Sequence, residues 1–286
     1  MKYGIDVPNF GPLGQARILA DLAANAENAG WDGFFIWDHI ARKPEFRDVA
    51  DPWIALSAIA MRTNRVQIGA MVTPLARRRP WKVARETASL DQLSNGRLIF
   101  GAGLGSTGGG QVEWENLGEE TDLKRRGQML DEGLAILAGL WSGQPFSYEG
   151  QYYHVKDTEF LPTPVQQPRI PVWIAGMWPH KVPFKRAVRW DGVFPIFDGD
   201  ALPQWKALAA FLDELRDDDR PFDVVATGKT PGSDPAQGAE IVSAYEAYGA
   251  TWWLEDLEPT YFGDNWEAAW TLDAIRARVL QGPPKS

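Results

Sequence analysis

The feature that most constrains the fold of this chain is an eightfold alternation of short β-rich runs with helical segments. The first run covers residues 3–7 and the last covers residues 251–254. The helical period is clearest between them, in the apolar stripe Leu130, Leu134, Leu137 and Trp141. Eight strand-then-helix units predict an α/β fold of the TIM (β/α)8 barrel type, formed by a single domain over residues 1–286.

One segment departs from this repeat. Residues 144–156 alternate apolar and polar side chains around Glu149-Gly150, which predicts a small β-hairpin insertion. An open doubly wound sheet is the alternative architecture. That fold places a tight phosphate-binding turn after its first strand, and no such turn follows residues 3–7.

Residues 66–106 form a complete strand–loop–helix–strand unit. Pro80 suits the first turn of its helix, and Asn95-Gly96 ends that helix. The loops at residues 72–79 and 101–110 each follow a strand. Parallel strands bring such loops to one end of the barrel, where folds of this type keep their active sites.

Composition excludes several classes of function. The chain has 286 residues, a formal net charge of −9 and no cysteine. The negative charge argues against a nucleic-acid partner, and the absence of cysteine excludes a thiol nucleophile. The short basic run from Arg77 to Arg79 could be a local anion contact or a solvated loop, and the solvated loop is the commoner case. Most of the 14 tryptophans are expected in the core, and a minority at strand ends are expected to line a cavity.

Localisation is inferred from what the sequence lacks. No apolar run is long enough to cross a bilayer, and the residues after Met1 lead directly into a strand in place of a secretory signal. We therefore expect a cytoplasmic protein with no membrane partner.

His39 is the strongest single candidate for chemistry, because it directly follows the second strand. Histidine exchanges a proton near neutral pH, and the neighbouring Asp38 could tune the site. A histidine that only hydrogen-bonds at a strand end is an equally weighted interpretation. His154 and His180 lie in distant segments without ligand spacing, so no metal site is expected.

Two glycine-rich strand ends could approach a ligand closely. The run from Gly101 to Ser106 leaves backbone N–H groups available for an anion, and Gly176 lies at a second strand end before a helix. Tight packing of loop against helix explains either one equally well. Together they favour a phosphate-bearing cofactor.

A sugar-active barrel is a further alternative. Such an enzyme needs two carboxylates that face each other across the site. Glu255, Asp256 and Glu258, with Asp38 or Asp198, would have to supply them. A surface acidic run explains the residues near Glu255 more simply.

Several long motifs resemble the bacterial luciferase-like monooxygenase superfamily. They are GFFIWDH, then PWKVARE, LSNGR and GAGLG in that order, and later PVWIAGMW. The similarity is clear over residues 3–196 and looser beyond. It implies a TIM barrel that binds FMN or the deazaflavin coenzyme F-420 in its C-terminal mouth.

The resemblance also implies which residues form the site. His39, with Asp38 beside it, would lie at the reacting centre, and a non-proline cis peptide bond is expected near Met71, Val72 and Thr73. The other implied cofactor contacts are Gly103, Gly105, Ser106, Ala175, Gly176 and Met177. The aromatic side chains that would exclude water from the substrate pocket are Phe10, Trp37 and Trp178.

Two departures favour F-420 slightly over FMN. The turn Gly103-Leu104-Gly105 lacks the arginine with which luciferases hold the FMN phosphate. The segment Trp37-Asp38-His39 is closer to the S-D-H of F-420-dependent members than to the luciferase E-H-H.

The predicted function is redox of a small organic substrate, by hydride transfer with coenzyme F-420 or by monooxygenation with reduced FMN. An FMN enzyme would need a flavin reductase as partner, and a homodimer is expected by analogy. A non-catalytic flavin-binding relative and the sugar-active barrel remain as alternatives.

Overall fold

The computed structural model describes residues 1–42, 46–105, 111–262 and 270–285. Its strands are β1 (Lys2–Val7), β2 (Gly33–Ile36), β3 (Gln67–Ala70), β4 (Thr73–Pro74), β5 (Phe100–Gly103), β6 (Phe146–Glu149), β7 (His154–Thr158), β8 (Val172–Met177), β9 (Gly192–Ile196), β10 (Asp223–Gly228) and β11 (Trp252–Asp256). Its α-helices are α1 (Ala16–Asn28), α2 (Pro52–Arg62), α3 (Pro80–Leu93), α4 (Leu123–Trp141), α5 (Lys181–Ala187), α6 (Leu202–Leu215), α7 (Pro235–Glu246) and α8 (Leu272–Leu280).

Nine strands form one parallel sheet in the order β3-β2-β1-β11-β10-β9-β8-β5-β4. The two ends of the sheet meet, because Ile68 on β3 forms a parallel bridge with Leu98, just before β5. The N–H of Ile99 then donates to the carbonyl of Ile68 at 2.9 Å. The structure is therefore a TIM barrel, as predicted, with β3 and β4 as two pieces of its third strand.

Close approach of backbones makes this closure possible. A Cβ added to Gly69 would lie 2.2 Å from the carbonyl oxygen of Ile99, and one added to Gly101 would lie 2.3 Å from that of Ala70. Only glycine fits at such positions.

The predicted hairpin insertion is confirmed. β6 and β7 pair antiparallel, with Tyr148 opposite Val155 and Glu149 opposite His154. The hairpin extends two residues beyond the predicted end, to Thr158.

The boundaries of the repeat also agree with the sequence at α3. Pro80 is the first residue of α3, and the chain turns out of the helix through Asn95 and Gly96, at φ angles of 57° and 78°. The aligned apolar residues Leu272, Ile275 and Val279 predict a final helix over residues 266–280. α8 begins at Leu272, and residues 263–269 lie outside the described part of the chain.

Large side chains fill the interior of the barrel. Successive strand residues point to opposite faces, so alternate residues of each strand point inward. The rings of Phe35, Trp173 and Trp252 contact one another there, with centroids 5.4–5.8 Å apart. These three rings fill the barrel interior below the carboxyl ends of the strands. A ligand therefore has access only at the end where the strands terminate.

Within the described ranges, no helix is both long enough and apolar enough to cross a membrane.

Candidate active site

A non-proline cis peptide bond joins Met71 to Val72 at the barrel mouth. It interrupts the third barrel strand between β3 and β4, and the resemblance had led us to expect it there. Val72 is partly exposed, whereas Thr73 is fully buried. The hydroxyl oxygen of Thr73 is buried without a hydrogen-bond partner among the described residues.

His39 follows β2 and is held on both its backbone and its ring. Its backbone N–H donates to Oδ1 of Asn9 at 3.2 Å, and its carbonyl accepts from the side-chain amide of Asn9 at 2.8 Å. Its ring contacts Phe10 and Trp37, with centroids 5.5 and 5.8 Å away. Ring atom Nδ1 lies 2.7 Å from Oε2 of Glu113.

Glu113 lies on a single turn of π-helix, Gln111–Glu115, between β5 and α4. Its Oε1 accepts the backbone N–H of Ile40 at 2.7 Å and pairs with Nη1 of Arg77 at 3.1 Å. Burial alone would raise the pKa of Glu113. The hydrogen bond from His39 and the charges of His39 and Arg77 outweigh burial and hold that pKa at about 2.

These contacts define the tautomer of His39. An ionised carboxylate can only accept hydrogen bonds, so Nδ1 of His39 carries the hydrogen that Glu113 accepts. The second ring nitrogen, Nε2, remains the atom at which His39 can take up or release a proton.

The side chain of Asp38 makes a separate set of contacts. Its Oδ1 accepts from Arg77 at 3.0 Å and from Arg78 at 2.6 Å. The interpretation of the basic run as a solvated loop is wrong for Arg77 and Arg78, because burial there requires paired charges. Only Arg79 of the three is exposed. Arg77 thus joins Asp38 to Glu113.

The glycines of the fourth strand end pack against protein atoms. A Cβ on Gly103 would lie 2.6 Å from Cγ2 of Val72, and one on Gly105, at a φ of +82°, would lie 2.5 Å from the Trp114 ring. These two glycines therefore keep β5 close to the cis peptide. Ser106 lies outside the described residues.

The fifth barrel strand, β8, brings Ala175, Gly176 and Met177 to the same end. A Cβ on Gly176 would lie 2.4 Å from Pro183, so this glycine allows α5 to pack. Met177 is 42% exposed at the end of this strand.

The three aromatic candidates separate into two places. Phe10 and Trp37 contact each other and His39, and Phe10 also contacts Trp270. Trp178 packs instead against Phe184 and Phe211, with Lys181 over its ring.

The acidic residues of β11 are not a surface run, and that simpler interpretation is wrong. Glu255 is fully buried and pairs with Arg278 at 3.2 Å, while it also accepts from Thr230 and Trp253. Asp256 points the opposite way, into the barrel. Burial, followed by the charge of Glu258, raises the pKa of Asp256 to about 7.

The two remaining histidines lie apart from this site. His154 is exposed on the hairpin and pairs with Glu149, and His180 precedes α5 without capping it. Among the residues whose positions are described, no group of three or more His, Asp or Glu side chains is arranged to hold a metal ion.

Sequence reasoning missed Glu113, Asn9 and Arg77. Glu113 stands in a polar stretch without a readable motif, although its apolar neighbours Val112 and Trp114 were a signal of burial. Asn9 directly follows β1, and no pattern around it in the sequence indicates its hydrogen bonds to His39. The pairing of Arg77 depends on contacts across three loops.

Comparison with known proteins agrees with this architecture. The family model described as luciferase-like monooxygenase matches residues 3–273. The chain is 34% identical over 184 residues to the F420-dependent glucose-6-phosphate dehydrogenase of Microbacterium testaceum (strain StLB037), covering 62% of this chain and 51% of that relative.

A second relative is named as flavin-dependent and not as F420-dependent. The chain is 28% identical over 166 residues to the oxygenase component of the flavin-dependent trigonelline monooxygenase of Acinetobacter baylyi (strain ATCC 33305 / BD413 / ADP1), covering 58% of this chain and 44% of that relative. The chain therefore spans about half the length of the curated relatives that it matches.

The fold likeness extends over the whole chain. The coenzyme F420-dependent tetrahydromethanopterin reductase of Methanopyrus kandleri superposes with a TM-score of 0.73, covering 98% of each chain at 16% identity. At that identity the likeness concerns the fold alone.

Proposed function

The chain belongs to the luciferase-like monooxygenase family, and from that premise we propose that it is an oxidoreductase that uses a flavin or deazaflavin to oxidise or reduce a small organic molecule. The observation that carries this proposal is the His39–Glu113–Arg77 network at the end of the barrel where the strands terminate. The network supplies a proton-exchanging group at the barrel mouth, where such enzymes act.

The residues of the mouth fit a flat ring with a polar edge. Val72 offers an apolar contact on the cis peptide, and the exposed Met177 offers another. Buried oxygens without a partner among the described residues, Thr73 Oγ1 and Asp38 Oδ2, offer polar contacts at the same end. We assign the cofactor contacts to Met71, Val72 and Thr73, to Gly103, Gly105 and Ser106, and to Ala175, Gly176 and Met177. The bound cofactor supplies the redox chemistry.

His39 moves the proton that accompanies the redox step. Glu113 accepts from Nδ1 and fixes the orientation of the ring, so Nε2 is the exchanging atom. Arg77 keeps Glu113 ionised. Asp38, proposed from the sequence as a second catalytic residue, contributes by holding Arg77 and Arg78 in place.

Aromatic side chains limit the access of water to this proton. Phe10 and Trp37 contact the His39 ring directly and belong to the substrate pocket. Trp178 belongs to the opposite wall, beside β8. The substrate is a small molecule that fits between these walls.

We favour coenzyme F-420 and hydride transfer over FMN and monooxygenation. The glycine turn at Gly103-Leu104-Gly105 and the Trp37-Asp38-His39 segment support this choice, as does the name of the Microbacterium relative. The flavin-dependent Acinetobacter relative favours the second candidate, an FMN monooxygenase that works with a flavin reductase. Either enzyme is proposed to act as a homodimer.

A paired fluorescence titration of the purified protein with FMN and with coenzyme F-420 tests the proposal. Tight binding of F-420 alone supports a hydride-transfer enzyme. Tight binding of FMN, strengthened on reduction, supports the monooxygenase. Binding of neither would overturn the assignment, while binding without turnover of any substrate would indicate a non-catalytic relative.

A further inference from the structure

Two carboxyl groups meet inside the barrel mouth on neighbouring strands. Asp6 on β1 and Asp256 on β11 are register partners in the parallel pairing of these strands. Both point inward, because Leu254, two residues before Asp256, belongs to the interior cluster. Asp256 follows Trp252 by four residues on β11, so the pair lies beyond the Phe35–Trp252 contact that closes the barrel.

Asp6 is buried, Asp256 is half-buried, and the pair is incompletely hydrogen-bonded. Asp6 is 4% exposed, and its Oδ2 accepts from the indole N–H of Trp37 at 3.0 Å. Oδ1 of Asp6 and Oδ1 of Asp256 are buried, and neither has a hydrogen-bond partner among the described residues. Two polar atoms of one pair are thus left for a ligand.

Among the described residues, the charges around the pair do not compensate two carboxylates. The charged groups that act on Asp256 are Glu258, Glu255 and Lys229, and the one cation of these three, Lys229, pairs with Glu258. The groups that act on Asp6 are Asp256, Trp37 and Glu258. Two adjacent anions with no cation of their own are unstable at a site with little access to water, so one carboxyl keeps its proton.

We propose that Asp6 and Asp256 share one proton at neutral pH and present a carboxylic acid O–H to the oxygen atom of a carbonyl or alcohol bound in the barrel mouth. The pair lies next to the proposed catalytic centre, because the indole N–H of Trp37 donates a hydrogen bond to Asp6 and the Trp37 ring contacts the His39 ring. His39 would exchange the proton of the redox step, whereas the pair orients the oxygen of the substrate.

The identity of this ligand rests on the proposed function, but the existence of the shared proton does not. The test therefore uses the full chain without any cofactor, and its result is independent of turnover. Failure of cofactor binding would overturn the proposed function and leave this measurement unaffected.

Infrared difference spectroscopy detects the shared proton. At pH about 7, the carbonyl stretch of a protonated carboxylic acid is expected in the native protein, and it should disappear in Asp256→Asn and in Asp6→Asn. Asp198→Asn is the matched control, since Asp198 is an exposed aspartate at another strand end, and it should retain the band. A native protein without the band would overturn the proposal.

Binding of cyclohexanone with a ¹³C-labelled carbonyl tests the ligand. We expect the ketone band to shift to lower frequency on the native protein, and the Kd to rise about tenfold in Asp256→Asn but not in Asp198→Asn. The same weakening should occur in the native protein when the pH is raised from about 6 to about 9. Equal affinity in all three proteins, or no shift of the ketone band, would overturn the assignment of this ligand site.

Discussion

Nδ1 of His39 lies 2.7 Å from Oε2 of Glu113, although 74 positions separate the two residues in the chain. His39 ends the second strand, and Glu113 reaches it from the loop after the fourth barrel strand. The ionised carboxylate fixes the tautomer and orientation of the imidazole, which suits His39 to the proposed role of proton carrier.

Replacing His39 by alanine should leave the fold intact and remove most turnover. The ring is partly exposed, and its partners Asn9 and Glu113 retain backbone contacts. Loss of a proton-exchanging group lowers turnover by about 10²–10⁴-fold. Circular dichroism and steady-state kinetics with the cofactor found by titration check both parts. Unchanged turnover in a folded variant would remove His39 from the mechanism.

Replacing Glu113 by glutamine should lower turnover by about 10²-fold and change the pH profile, because His39 loses its ionised partner. Glu115→Gln is the matched control, since Glu115 lies two residues away and is exposed. Equal pH profiles of the two variants would contradict the role given to Glu113.

The low pKa of Glu113 predicts that the folded protein loses stability in acid. Its folded pKa of about 2 lies below its ordinary value, so its contribution to stability is present above pH about 4.5 and is lost as the pH falls toward 2. Denaturant unfolding at several pH values should show this loss in the native protein and a smaller loss in Glu113→Gln.

Replacing Arg77 by methionine should reduce the free energy of unfolding by about 3 kcal/mol, because Asp38 and Glu113 would be left as buried anions with fewer partners. Arg79→Met, at an exposed neighbouring position, should change stability little. Urea unfolding compares the two variants, and similar midpoints would show that the buried network is dispensable.

Replacing Asp256 by asparagine should stabilise the protein more at high pH than at low pH. The folded pKa of Asp256 is raised to about 7, so its favourable contribution, present at low pH, is lost as the pH rises from about 4 through 7. The variant should therefore gain about 2–4 kcal/mol relative to the native protein between pH about 4 and about 8. If the free energy of unfolding changed with pH in the same way in Asp256→Asn and in the native protein, the raised pKa of Asp256 would be excluded.

Replacing Gly103 by alanine should weaken cofactor binding by about tenfold. The new Cβ would lie 2.6 Å from Val72, which must then shift at the mouth. Gly127→Ala on α4 is the control, because its Cβ meets only Arg186 Nη2 at an ordinary 3.5 Å. Equal affinities of the two variants in the titration would mean that Val72 does not contact the cofactor.

Local patterns in the sequence were sufficient to predict the barrel. Strand and helix periods, the proline that starts α3 and the Asn95-Gly96 turn that ends it are properties of neighbouring residues. They specify each βα unit, and eight such units close in one way. The same patterns located His39 at a strand end, and the family motifs led to the cis peptide beside Val72.

Pairing of charges across loops was decided only by the tertiary structure. A solvated loop is the commoner interpretation of Arg77 and Arg78, and a surface acidic run is the simpler one for Glu255. In the structure Arg77 and Glu255 are buried and Arg78 is half-buried, each against a partner more than 20 residues away. Nothing next to a charged residue in the sequence indicates which distant group will offset its burial.

The sequence by itself determined the eightfold repeat and the position of His39 at the carboxyl end of the second strand, where the catalytic site is proposed. The tertiary structure alone decided that Glu113 orients this histidine, that Arg77 links it to Asp38, and that Asp6 and Asp256 meet inside the mouth. The physical reason is that periodicity and turn chemistry act between close neighbours in the chain, whereas the energy of a buried charge depends on every group that folding brings around it.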